Sequence, residues 1–116
     1  MVKENIILDK SFQFALQIIE TYKTLNKSNE FILSKQLLKS GTSIGANVRE
    51  ASAAQTKKDF IAKMSIASKE ARETKYWLEL LQESKIVTND YTNLLNQNDE
   101  LIKILTKIVK TSQTTI

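Results

Sequence analysis

Glu70 and Glu73 stand one helical turn apart, with Trp77 a further turn on and Glu50 in the preceding segment. Paired carboxylates can hold a divalent cation or share a proton. The composition closes most other routes to catalysis, because the chain has His 0 and Cys 0. No Ser-His or Cys-His nucleophile pair can form, and no His-bearing zinc or di-iron centre. Acid–base work near neutral pH would then need a strongly shifted carboxylate or lysine. Arg49 and Arg72 lie in the same stretches as the carboxylates. Hydrogen bonds or ion pairs to those arginines, across helix or subunit contacts, are the reading the residue types favour over a metal site. Such a network sets helix register more than it adds stability. The chain is therefore read as noncatalytic, with no catalytic, cofactor-binding or metal-ligating residue assigned.

Lysine is the second group able to do chemistry, by attracting phosphate. The formal charge is +4, unevenly spread: residues 51–75 carry six Lys or Arg against three Asp or Glu, and residues 76–100 one against five. The candidates for nucleic-acid contact are Lys35 and Lys39, then Lys57, Lys58 and Lys63, then Lys103, Lys107 and Lys110. If the segments holding the last two groups are antiparallel helices, Lys57, Lys58, Lys63, Lys103, Lys107 and Lys110 gather at one end. The alternative is that solvated lysines only keep the helices soluble and favour a helix C-terminus. With two arginines and no exposed aromatic-rich motif, the patch fits backbone phosphate rather than base-specific readout.

Glycine is the third. Both glycines of the chain lie in "SGTSIGANVREASAA" at 40–54. A phosphate-cradling loop would need a Gly-Lys-Ser/Thr ending or a G-x-G-x-x-G after a strand, and neither is present. Leu33, Leu37, Gly41, Ile44, Val48 and Ala51 instead keep helical phase through the glycines. Each interior glycine costs about 1 kcal/mol relative to alanine. Gly41 and Gly45 are thus read as places where a bulky side chain or backbone of another helix packs closely, Trp77 being a candidate.

The elements that must position these groups are helices. Pro 0 and Gly 2 in 116 residues leave little material for tight turns. The periodicity predicts one domain, 1–116, of four helices near 5–26, 29–54, 57–84 and 89–112. On the first, Leu8, Phe12, Ala15, Ile19 and Tyr22 share a face, with Phe14, Ile18 and Leu25 as a neighbouring stripe. That wide apolar surface predicts contact with more than one element. Ser28 or Asn29 is the expected N-cap of the second helix, and Thr88 of the fourth. Thr56 and Asp59 read as a capping box for the third. The polar run "LNQNDE" predicts a bend or break near Asn96–Asn98. Four amphipathic segments with short links predict an antiparallel up-down-up-down bundle. No apolar run approaches the roughly 20 residues of a membrane span, and no signal-peptide core opens the chain. Cytoplasmic location without membrane contact is the expectation.

Two blocks, "SGTSIGANVREA" at 40–51 and "KDFIAKMSIASKEARETKYWLELL" at 58–81, closely resemble a bacterial four-helix-bundle family. Its founding members are encoded by intervening sequences in 23S ribosomal RNA genes, and the accessory variability protein of diversity-generating retroelements is similar. The family's Ser-Ile-x-x-Asn core with its following Glu falls on Ser43, Ile44, Asn47 and Glu50. The sequence departs from the common pattern in "KSNE" at 27–30, where many members carry Pro, and in Glu-Ala rather than Glu-Gly at 50–51. The resemblance implies a left-handed bundle assembling as a homopentamer, no established enzymatic activity, and nucleic-acid binding as the leading proposal for the family's role. Gly41, Ser43, Ile44, Gly45, Asn47, Arg49, Glu50, Glu70, Glu73 and Trp77 become the candidates for helix packing or the oligomer interface. Expected partners are other copies of the chain, ribosomal RNA or other nucleic acid, and, alternatively, a protein such as a reverse transcriptase.

Overall fold

The computed structural model of the protein describes residues 2–114, with side chains from residue 6 onward. Four helices account for them: α1 Val2–Lys27, α2 Leu33–Ser52, α3 Lys57–Ser84 and α4 Thr92–Thr114. No strand occurs among the described residues. Around the molecule α1 touches α2 and α4, and α3 touches α2 and α4. Between diagonal helices no two Cα atoms lie within 8 Å of each other among the described residues. The pairings run in opposite chain order: Gly41 and Gly45 of α2 lie against Ile18 and Ser11 of α1. Likewise Ser40 and Glu50 of α2 meet Thr74 and Lys63 of α3.

The core comes from the seam each helix turns inward. Ile7, Phe14, Ile18 and Leu25 of α1 are buried against Leu37, Ile44, Val48 and Ala51 of α2 and their counterparts on α3 and α4. Burying one such side chain stabilises by about 1.5–3 kcal/mol. Of the two neighbouring α1 stripes, that of Phe14, Ile18 and Leu25 is the core seam, whereas Phe12 remains 46% exposed. Small Ser11 sits in the inward seam opposite Gly45, so that seam looks less apolar in sequence than the one outside it.

Helix starts depend on loop geometry. The left-handed conformation of Asn29 (φ 63°) ends α1, with Glu30 N–H donating to Leu25 O at 2.9 Å. Glu30 then folds back so that its carboxylate accepts the N–H groups of Ile32, Leu33 and Ser34 at 3.1, 3.0 and 2.6 Å. The second helix therefore opens at Leu33 rather than 29, and Glu30 replaces the expected Ser28 or Asn29 cap. At α3 the Thr56 hydroxyl accepts the Asp59 N–H at 3.1 Å as the capping box requires. The α3 C-cap, Lys85, is left-handed at φ 55°. Asp90, not Thr88, serves α4 by accepting the Thr92 N–H at 3.0 Å.

The expected break at Asn96–Asn98 is absent, since α4 runs unbroken through it. Asn98 is fully buried and its Nδ2 donates to Ala71 O at 2.9 Å. A backbone carbonyl of α3 thus lets the polar run continue inside the protein. Asn98 Oδ1 finds no protein partner.

Candidate nucleic-acid and assembly surfaces

Along α3, Lys58, Ile61, Ser65, Ser68 and Arg72 recur at alternating steps of three and four, so they share the side of the helix facing α4. Two clefts joined at Gln113 follow that line. One, of about 300 Å³, lies between Lys57, Lys58 and Ile61 and the end of α4 at Ser112 and Gln113. The other, of about 260 Å³, is walled by Ser65, Ser68 and Arg72 against Thr106, Val109 and Lys110. From Lys58 to Arg72 the groove runs about 21 Å at 1.5 Å per residue. Its lining holds cations and hydroxyls but no carboxylate. Arg72 donates to the neutral Thr106 hydroxyl at 3.2 Å, which orients the guanidinium without cancelling its charge. Beyond Arg72, Lys75 and Asp99 pair across the same two helices at 3.1 Å.

The structure thus brings Lys57, Lys58 and Lys110 together. Lys103, one heptad before Lys110, shares its face, and Lys107 is exposed one turn away. Lys63 is on the other side of α3, bonded to Glu50 of α2 at 3.0 Å. That hydrogen bond first, and the Glu50 charge second, hold the Lys63 ammonium above its ordinary pKa of 10.5. Lys35 and Lys39 sit on α2, which is diagonal to α4, and are separate from the groove. Arg72 is the groove residue that sequence reading placed elsewhere, among the carboxylates. The signal that finds it is its helical spacing from Lys58.

The two distinctive blocks meet on the opposite side of α3. Glu70 and Trp77 follow Lys63 by one and two heptads and so share its α2-facing flank. Ser43, Asn47 and Glu50 form the matching edge of α2. Asn47 Nδ2 donates to Ser43 O at 2.8 Å and Ser43 Oγ to Lys39 O at 2.6 Å. Trp77 is half-buried against the core, donates from Nε1 to Glu73 Oε2 at 3.2 Å, and meets Tyr76 edge-on with ring centroids 5.1 Å apart. Neither Glu70 nor Glu73 forms an ion pair with Arg49 or Arg72 inside the chain: Arg72 is on Thr106, and Arg49 lies over the Phe12 ring at 5.6 Å. The helices carry the arginines to other faces, which linear proximity does not reveal. No cluster of three or more potential metal-binding side chains occurs among the described residues.

Between α1 and α2 a third cleft, of about 400 Å³, is lined by Leu8, Ser11, Phe12, Ala15, Thr42, Gly45, Ala46, Arg49 and Glu50. Gly41 and Ile44 lie beneath, both buried. A Cβ on Gly41 would stand 2.8 Å from Ile18 Cγ1, and one on Gly45 3.3 Å from Ser11 O. The glycines therefore admit α1, and Trp77 is not their neighbour. The helical backbone carries no positive-φ glycine, so lost side-chain volume, not special conformation, is what these positions use.

An all-α protein of four helices, built on a close glycine-mediated helix contact and carrying a carboxylate-free basic groove, is the class that emerges. Residues 3–107 match the family of 23S rRNA-intervening sequence proteins, and the chain belongs to that family. A crystal structure of a protein of unknown function from the S23 ribosomal protein family of Bacteroides thetaiotaomicron VPI-5482 is similar at 51% identity and a TM-score of 0.89, covering 93% of this chain and 98% of that one. No curated protein matches. No helix among the described residues is long and apolar enough to cross a membrane.

Proposed function

We propose that this is a noncatalytic, cytoplasmic scaffold that self-assembles, as a homopentamer, and binds RNA or DNA phosphates through the α3/α4 groove. The observation that carries it is that groove, where Lys57, Lys58, Arg72 and Lys110 stand among hydroxyls with no carboxylate between them. The opposed order of the helix pairings supports an up-down-up-down bundle as the repeating unit, its left-handed turn resting on the family resemblance alone. Each copy contributes a formal +4, so a five-membered ring carries about +20 and repeats the groove, letting weak phosphate contacts act together. Lysine and hydroxyl contacts of this kind hold the backbone and do not read bases.

The test is fluorescence anisotropy with a labelled structured RNA and a labelled DNA duplex, in salt from about 50 to 200 mM. Binding that weakens by orders of magnitude over that range is expected. In the variant Lys57→Gln/Lys58→Gln/Lys110→Gln the slope of log affinity against log salt drops by about two to three. No binding at low salt, or a flat salt dependence, overturns the reading. A protein-docking role is favoured by a separate observation: Phe31, Ile32 and Ile86, in the α1–α2 and α3–α4 connections, are exposed by 56%, 76% and 60%. A protein partner such as a reverse transcriptase, retained after the groove is neutralised, would mark that second role.

A further inference from the structure

Two surfaces of the chain are left incomplete in complementary ways. The α1/α2 cleft presents the exposed Phe12 ring beneath Arg49, whose guanidinium has no carboxylate partner among the described residues. The flank of α3 toward α2 presents Ile66, exposed by 41%, around Glu70 and Glu73, and beside them Tyr76, exposed by 55%, edge-on to Trp77. Neither carboxylate has a cationic partner among the described residues, although Glu73 accepts the Trp77 N–H. One surface is therefore partly apolar with an unpaired Arg49, its one lining carboxylate, Glu50, being held by Lys63; the other is partly apolar with two carboxylates that no cation pairs. An interior solution to either is ruled out by direction, because Arg49 lies toward α1 and the two carboxylates lie on α3, diagonal to α1.

We propose that the occupant of the α1/α2 cleft is the α3 flank of a second copy of this chain, with Glu70 and Glu73 meeting the Arg49 of the next copy. This rests on the self-assembly reading and specifies its interface. Two different surfaces meet, so the contact is heterologous and propagates until it closes. The α1/α2 and α2/α3 faces share α2 and look outward about 90° apart in a four-cornered bundle. Repeating a joint of that angle closes a ring of about four copies, and opening it to about 108° closes a ring of five. In that ring α2 faces the axis and α4 faces outward, which leaves the basic α3/α4 groove uncovered on every copy. Charge complementarity of this kind sets which surfaces pair and in what register.

Charge reversal tests the joint, read by native mass spectrometry and light scattering on full-length chain, with far-UV circular dichroism to establish folding. Arg49→Glu alone, and Glu70→Arg/Glu73→Arg alone, should each raise the concentration of half-dissociation by about tenfold or more. All three changes in one chain should restore assembly, because every joint is then complementary again. Folded single-charge variants that assemble like the wild type overturn the interface while leaving self-assembly standing. Failure of the triple variant to recover, with its helical content intact, overturns it as well. A wild-type chain that remains monomeric at all concentrations instead removes the self-assembly reading on which the proposal rests.

Discussion

Replacing Gly41 by alanine sets two effects of known sign against each other. Alanine is the better helix former by about 1 kcal/mol, so an isolated α2 would gain. In the folded protein the new methyl meets Ile18 Cγ1 at 2.8 Å, Cγ2 at 2.9 Å and Cδ1 at 3.1 Å. Ile18 is fully buried and branched at Cβ, so it has one strongly preferred helical rotamer and no flexible end to swing aside. Relief requires α1 and α2 to separate or Ile18 to leave its well, at about 1–3 kcal/mol for overpacking. With the propensity gain subtracted, a net loss of up to about 2 kcal/mol is expected. That is roughly 4 °C in Tm per kcal/mol for a chain of this size. Thermal and urea denaturation followed by far-UV circular dichroism, at one fixed protein concentration because assembly adds to apparent stability, provides the measurement. The second arm is a double-mutant cycle. Ile18→Ala alone should cost about 2–5 kcal/mol, but in the Gly41→Ala background the same truncation removes the clash as well. The pair should therefore be less destabilised than the sum by about 1–3 kcal/mol. A Gly41→Ala protein more stable than wild type, with additive behaviour in the cycle, would show that α1 does not press on this position.

Asn98→Asp should cost about 3 kcal/mol or more, because the change puts a carboxylate at a fully buried position; burial raises the folded-state pKa of that carboxyl, so the loss should shrink as pH falls below about 6 and be largely gone below about 4, where both states are protonated, read from Tm across pH. Lys85→Gly should stabilise by about 1 kcal/mol, since a non-glycine residue holds φ 55° at the α3 C-cap and glycine relieves that strain; an unchanged or lower urea midpoint would refute this. The backbone N–H of Thr92 chiefly, and its hydroxyl second, hold the Asp90 carboxyl below its ordinary 3.8. A depressed folded-state pKa contributes stability above the unfolded value and loses it as pH falls through the folded one. Asp90→Ala should therefore lower Tm at pH 7 and converge with wild type in strong acid.

The candidate surfaces were only partly legible before folding. Thr56 could be read as a cap because its partner is three residues away in sequence. Glu30 could not, because it caps only after Asn29 turns left-handed and folds the carboxylate back on three N–H groups. The gathering of Lys57, Lys58 and Lys110 follows from antiparallel neighbours. Lys63 and Arg72 needed the angular position of each residue on α3, which sent one to Glu50 and the other to Thr106.

What the sequence by itself determined is the helical nature of the chain. Apolar residues at steps of three and four, no proline and two glycines in phase leave no other regular structure, because periodicity and propensity are local properties of the backbone. Tertiary structure alone decided which of two apolar stripes on α1 turns inward, where Asn98 finds a carbonyl, and which faces receive the arginines. Each of these depends on volume and hydrogen-bond partners supplied by another helix. Ser11 against Gly45 lets α1 approach closely along one stripe, and the Phe12 stripe is left outside as a result.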